Sequence, residues 1–452
     1  MKFSLPLKKW RSHRFFTVVV SAFAVLVENL FLGIVLPLLP VYERQFGLDS
    51  FDVGGLVAAY AGVQILACPV ASFAVDRFGA RLSLFFGLGS MAASTLLYAF
   101  ADVFWLMVVA RMLQGTCGAV TWTAALAMLP LALPPSEQGR ATGMVTTIGG
   151  IGSVMGPSVG GALFAINDDR RTPFFFMLAV IALDLVMRMA LVDTIRPELL
   201  AEAHAPKPKF MTSVRELLRD HGINLLMFST VIGGLLLSSI MPIMPLLVKE
   251  RFGYEPWQIG LVLSARSAAY LCGSILVGWL SDRYKIGRDL MSAGFIALPL
   301  LFVALAFAEN IVLVVLVLAG IGFFLTCVTT TNMSEISLAV DRKHHHRVFA
   351  ITGGMQNLFW SAGTLIGPLM SSGVMEATSS TVSLIVTAGT LLPLGLIFVF
   401  FNTHPHWRRK LFAVEKAATD GEKLLSPIVD VPSDTDAGAV ERDRFGNVID
   451  QE

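Results

Sequence analysis

Apolar residues fall in long runs separated by short polar breaks along most of the chain. A helix needs about 20 mainly apolar residues to cross about 30 Å of hydrocarbon. By that rule the pattern predicts twelve spans, over 15–38, 53–75, 82–101, 103–133, 141–166, 173–192, 223–247, 257–281, 290–308, 311–338, 348–375 and 381–401. The narrowest break is at Asp102, between the third and fourth spans. The basic stretch Met1–Arg14 precedes the first run, but that run is long enough to span and lacks a small-residue cleavage site, so it is read as a helix and not a signal peptide. The expected class is an all-α polytopic membrane protein.

The spans divide into a half over 15–192 and a half over 223–401, between an N-terminal segment 1–14 and a tail 402–452. The polar segment 193–222 holds Pro206 and Pro208 and reads as a central loop, with Phe210–Arg219 suited to a short amphipathic surface helix. The tail is acidic and is expected to be disordered.

Composition agrees with this picture. Hydrophobic residues make up 55% and charged residues 15% of the 452, where a soluble chain has about 25% charged. The mean hydropathy is +0.69. A net charge of +1 leaves no excess for nucleic acid. Cys68, Cys117, Cys272 and Cys327 all lie in apolar runs, which excludes a disulfide-stapled secreted fold. No hydrolase motif, cofactor motif or metal-ligand spacing is read, and His344–His346 is taken as a solvated cluster, so no enzyme, cofactor or metal is expected. Loops on the side of the termini hold 22 Lys and Arg against 5 opposite, which predicts cytoplasmic termini. Without a retention or lipidation signal the plasma membrane is the default location, and a monomer in the bilayer is expected.

The two halves echo each other. Pro37 and Pro40 recur as Pro242 and Pro245 at an offset of 205, Asp76-Arg77 as Asp282-Arg283 at 206, and Gly156-Pro157 as Gly367-Pro368 at 211. Two repeats with a binding site between them near the midplane are a common plan of secondary transporters.

Three segments carry a family resemblance. Ala71–Arg81, with Asp76, Arg77, Gly79 and Arg81, resembles the loop signature of the major facilitator superfamily, although Ser72 stands where the family has its leading glycine. Arg111–Gly115 resembles its fourth-helix motif, and Gly152–Gly161 the fifth-helix motif of its proton antiporters. Glu28-Asn29, the Pro37/Pro40 pair, Trp257-Gln258 with Gly260, and Val340-Asp341 are similar to vesicular amine transporters and related drug:proton antiporters. The resemblance implies twelve helices in two pseudo-repeated halves and export of a small organic compound in exchange for protons. Two positions depart from the amine transporters: Thr329 replaces their tenth-helix acid, and Arg266 is an additional eighth-helix cation.

Asp76, Arg77, Arg81, Asp282, Arg283 and Arg288 sit at helix ends, where a charge can pair with a helix terminus across the seam and act as a gate, or merely anchor the chain. Gly149, Gly150, Gly152, Gly156, Gly160 and Gly161 allow close helix approach, and Pro157 frees a carbonyl.

The ionisable residues within spans are Glu28, Arg111, Asp184, Arg188, Arg266 and Glu335. Each costs at least ~2.5–3.5 kcal/mol at the bilayer centre, so each is a functional candidate. Glu28 can load and release a proton or meet a cationic substrate. Arg266 can bind a carboxylate or phosphate through its planar fork, or form an ion pair with Glu28 or Asp184. Arg111 has a coupling or structural role by resemblance, with direct substrate contact as the alternative. Asp184 is a second candidate for proton coupling, although Arg188 four residues on offers it a helical ion pair. Tyr60, Gln64, Gln356, Asn357 and Trp360, with Asn29 and Asn332, can complete a polar pocket. Arg266 and Arg111 together suggest an anion such as a dicarboxylate, with Glu28 as proton site. The resemblance suggests a drug or amine instead, and a transporter-like sensor is a third reading.

Overall fold

The computed structural model describes residues 14–133, 135–190, 219–344 and 349–404. The predicted surface helix at 210–219, apart from Arg219, and nearly all of the tail lie outside these residues, as do His345 and His346. The described residues form helices and no strand. In chain order they are α1 (Arg14–Ile34), a 3-10 turn (Leu36–Leu38), α2 (Leu39–Phe46), α3 (Ser50–Phe78), α4 (Ala80–Phe100), α5 (Phe104–Ala132), α6 (Pro135–Asn167), α7 (Thr172–Ala190), α8 (His221–Phe252), α9 (Pro256–Tyr284), α10 (Gly287–Ala306), α11 (Ile311–His344), α12 (Phe349–Ala377) and α13 (Ser380–Thr403). With α1, the turn and α2 counted as one, twelve are long and apolar enough to cross a membrane.

Several helices outrun the predicted spans. The first continues to Phe46 and the seventh to Phe252, past prolines that were expected to close them. Pro37 and Pro40 open successive helical segments, where a missing N–H costs nothing. Pro242 and Pro245 lie inside α8, which continues through both. Both ends then stop on a left-handed glycine, Gly47 at φ 61° and Gly253 at φ 67°. These two lie 206 apart in sequence, as do Gly79 (φ 87°) and Lys285 (φ 57°) after α3 and α9. At the Gly47/Gly253 pair the repeat extends to backbone conformation, both residues being left-handed.

The strongest packing within each half follows the same rule. α1 lies on α6 and α8 on α12. A Cβ on Gly152 would stand 2.3 Å from the Leu26 carbonyl oxygen, and one on Gly363 would stand 2.1 Å from that of Val231. Gly156 meets the Leu30 carbonyl at 2.7 Å and Gly367 that of Leu235 at 2.8 Å by the same construction. Only a missing side chain allows such approach.

The halves join along two seams, α6 with α9 and α3 with α12. Gly260 rests on the Pro157 carbonyl (2.2 Å from its would-be Cβ) and Gly54 on that of Pro368 (2.8 Å), a pseudo-symmetric pair of contacts. On the first seam Ser264 donates to the Val154 carbonyl at 2.6 Å and lies 2.7 Å from the Ser158 hydroxyl. On the second the Ser50 N–H at the start of α3 donates to Glu376 at 2.8 Å. These contacts gather toward the face opposite the chain ends. Toward the terminal face they extend as far as Asn357 with Cys68 and Gly150 with Leu271. Beyond those levels Ser72, Gly143 and Gly354 are exposed. Among the described residues the seam contacts are thus concentrated toward the distal end.

Gly260→Ala places a methyl group against backbone that cannot yield and is expected to cost about 1–3 kcal/mol, the usual overpacking range. Gly143→Ala, with nothing within 4 Å of the added carbon, should leave stability unchanged. Thermal unfolding of the two variants in nanodiscs checks the contrast.

Candidate functional site

Glu28 lies midway along α1 and is 1% exposed. Two neutral donors hold its carboxylate. The Tyr60 hydroxyl of α3 donates to Oε1 at 3.2 Å, and the Cys117 thiol of α5 donates to Oε2 at 3.2 Å. Two glycines of α5 make room for this arrangement: a Cβ on Gly115 would meet the Tyr60 carbonyl, and one on Gly118 the Tyr60 hydroxyl and Glu28 itself. Arg111, also buried, donates to Gln114 at 2.7 Å and lies 5.8 Å from the Tyr60 ring centroid. Tyr60 therefore stands between the acid and the cation, with its hydroxyl on one and its ring face on the other. Arg111 and its motif neighbour Gln114 are engaged within the first half.

From Tyr60 the polar groups continue one turn along α3 to Gln64, whose amide oxygen accepts from Ser361 of α12 at 3.2 Å. Asn357 of α12 reaches Cys68 at 3.4 Å. These contacts cross the α3–α12 seam. Trp360 of α12 is half-buried, and both it and Thr329 lie against Gly233 of α8, 3.5 and 3.7 Å from a Cβ built there. Thr329 donates to the Leu325 carbonyl, so the Tyr270 hydroxyl 3.0 Å away is the donor of that pair. Gln356 is half-buried on α12.

Arg266 differs from every other buried cation. It is 9% exposed on α9, one turn from Tyr270, on the side of the helix away from the outward-facing Leu261, Leu276 and Trp279. The ion pairs formed among the described residues do not include it. It makes no hydrogen bond or ion pair among them, and its nitrogens are absent from the occluded set that includes Nε of Arg111 and of Arg188.

Other expectations fall elsewhere. The ion pair of Arg266 with Glu28 or Asp184 is not formed, because Glu28 is held by Tyr60 and Cys117 and Asp184 by Arg188 at 2.5 Å. Arg188 also donates to the Leu84 carbonyl, which ties α7 to α4. Asn332 does not complete the pocket; it donates to Thr230 and accepts from Ser229, binding α11 to α8. Asn29 lies in the α1–α6 contact against Gly149 and Gly152. Glu335 pairs with Arg288 at 2.8 Å. Arg77 is exposed over Phe73 and Phe78, Asp282 and Arg283 are exposed, and the Asp76 side chain is outside the described residues. Gly160 and Gly161 pack on Ile34 and Pro256.

The family model described as Major Facilitator Superfamily matches residues 21–358 and 226–432. The chain belongs to the Major Facilitator Superfamily. With twelve helices long and apolar enough to cross a membrane, it is a multi-pass membrane protein. It is similar to the synaptic vesicular amine transporter of Mus musculus, 25% identical over 341 residues, which cover 75% of this chain. The match spans 64% of that transporter's length. It is likewise similar to the quinolone resistance protein NorA of Staphylococcus aureus, 24% identical over 364 residues, covering 78% of this chain and 89% of NorA. In fold it resembles a bacterial homolog of the human lysosomal transporter Spinster in an inward-facing, unoccupied conformation, with TM-score 0.68 and 15% identity over 86% of this chain and 96% of that one.

Asp184→Asn leaves Arg188 buried without its partner and is expected to cost about 3–5 kcal/mol. Asp102→Asn removes a partner of Arg170 whose carboxylate is 78% exposed, and should cost at most about 1 kcal/mol. Unfolding midpoints of the two variants give the comparison.

Proposed function

We propose that this transporter exports a small organic compound in exchange for protons, with Glu28 as the proton-carrying group. The observation that supports this most is that Glu28 is buried against neutral donors. An arginine partner would fix the carboxylate in its charged form, whereas Tyr60 and Cys117 can accompany either protonation state. Asp184, paired directly with Arg188, we read as structural and not as a second proton carrier. The seam contacts among the described residues concentrate toward the distal end, which suits release of a proton and capture of substrate from the terminal side. The Lys and Arg bias makes it the cytoplasmic side, and the plasma membrane is the expected location.

Two cargo classes have support. The names of the relatives speak of amines and quinolones and favour a drug or amine antiporter. The residue chemistry favours an organic anion, since the buried cation without a protein partner is Arg266, while Glu28 sits behind Tyr60 where an amine does not reach it without displacing that ring. A dicarboxylate clamped by Arg266 and Arg111 fits less well, because Arg111 is engaged with Gln114 and Tyr60. We take an organic anion as the first reading and an amine or drug as the second.

Proteoliposomes carrying an imposed pH gradient test the proposal with a panel of labelled carboxylates and lipophilic amines. Gradient-driven flux in the wild type that falls at least 100-fold in Glu28→Gln is the expected result. Flux that still follows the gradient in Glu28→Gln rejects Glu28 as the proton site.

A further inference from the structure

The repeat allows the two halves to be compared position by position. Gly115 packs its α-carbon on the Tyr60 carbonyl and Gly322 on the Arg266 carbonyl, each 2.2 Å from the Cβ it lacks. Tyr60 and Arg266 are 206 apart, the offset of the α3 and α9 landmarks. Arg266 is therefore the second-half counterpart of Tyr60. At the offset of 205 that relates α1 to α8, the counterpart of Glu28 is Gly233. In the first half a donor faces a carboxylate. In the second half a stronger donor, a permanently charged guanidinium, stands in the donor's place and a glycine in the acid's.

We infer that a carboxylate of the transported compound fills, against Arg266, the place that the Glu28 side chain fills against Tyr60. This rests on the organic-anion reading above. Desolvating a cation without an opposite charge is costly, and no ion pair among the described residues offsets it at Arg266. The position at Gly233 is bounded by the Trp360 ring and by methyl groups of Val328 and Thr329, and the Thr329 hydroxyl is bonded to that of Tyr270, one turn from Arg266. The wall at the acid's place is thus one aromatic plate with aliphatic flanks. One unpartnered cation serves one carboxylate, and the aromatic plate suits a flat apolar body. The ligand class is an amphipathic aromatic monocarboxylate, not a dicarboxylate and not an amine.

Scanning calorimetry of the full chain in nanodiscs tests this with 2-naphthoate, its neutral amide 2-naphthamide, succinate and tetraphenylphosphonium as probes. The expected result is that naphthoate raises the unfolding midpoint of the wild type, while naphthamide and succinate at equal concentration do not. Arg266→Gln should weaken naphthoate at least 10-fold, and Arg266→Lys less. Gly233→Glu supplies the missing acid from the protein and should abolish the naphthoate shift while folding normally. The wild-type comparison of naphthoate with naphthamide needs no variant, so a misfolded mutant does not shield the idea. Equal shifts by acid and amide, no shift by naphthoate, or full naphthoate affinity in well-folded Arg266→Gln would overturn it. Gradient-driven tetraphenylphosphonium flux that needs Glu28, together with no naphthoate shift in the wild type, overturns the carboxylate subsite and leaves proton coupling standing. Naphthoate binding that needs Arg266, with flux indifferent to Glu28→Gln, does the reverse.

Discussion

Bare glycine backbone resting on a neighbouring carbonyl is the contact on which this structure depends. It occurs at Gly152, Gly156, Gly363 and Gly367 inside the halves and at Gly54 and Gly260 between them. Lipid tails are as apolar as the helix surfaces, so hydrophobic burial does little to bring membrane helices together, and close packing must supply the contact energy. Because each of these six glycines has a counterpart in the other half, the two halves share one packing geometry at these contacts. The same packing brings the site helices α3 and α12, and α6 and α9, within side-chain reach.

Against that shared frame, the chemistry of the two halves differs at equivalent positions. The first half provides an acid with two neutral donors, Glu28 with Tyr60 and Cys117. The second provides a cation, Arg266, and has a glycine, Gly233, at the position equivalent to the acid. The buried pairs Asp184–Arg188 and Glu335–Arg288 satisfy their own charges within one half and so belong to the scaffold. This separates charges the protein has already neutralised from those it has left open, a distinction that residue type alone does not make.

Much of the fold was legible in the sequence, because run length is additive along the chain. The twelve helices and the break at Asp102 follow from it, and the repeat follows from the constant spacing of its landmarks. The ends of the first and seventh spans did not, since proline stops a helix only where the lost N–H and the ring clash matter; Pro40 escapes by opening α2, while α8 runs on through Pro242. The site was half legible. Glu28, Tyr60, Gln64, Asn357 and Arg266 stand out as polar residues in apolar runs. Asn332 stands out equally and is spent on Ser229 and Thr230, which only three-dimensional pairing reveals. Cys117 was missed because a cysteine in an apolar run reads as a small hydrophobe. Gly233 carries no side chain to notice, yet its offset from Glu28 was present in the numbering.

The central claim is that Glu28 exchanges a proton while staying inside the protein. Infrared difference spectroscopy of the transporter in nanodiscs, recorded as the pH is lowered, reads this directly through the carboxylic C=O stretch. The account predicts a band from a carboxyl group in apolar surroundings that grows with acid and is missing from Glu28→Gln. An identical difference spectrum in the two proteins would contradict it.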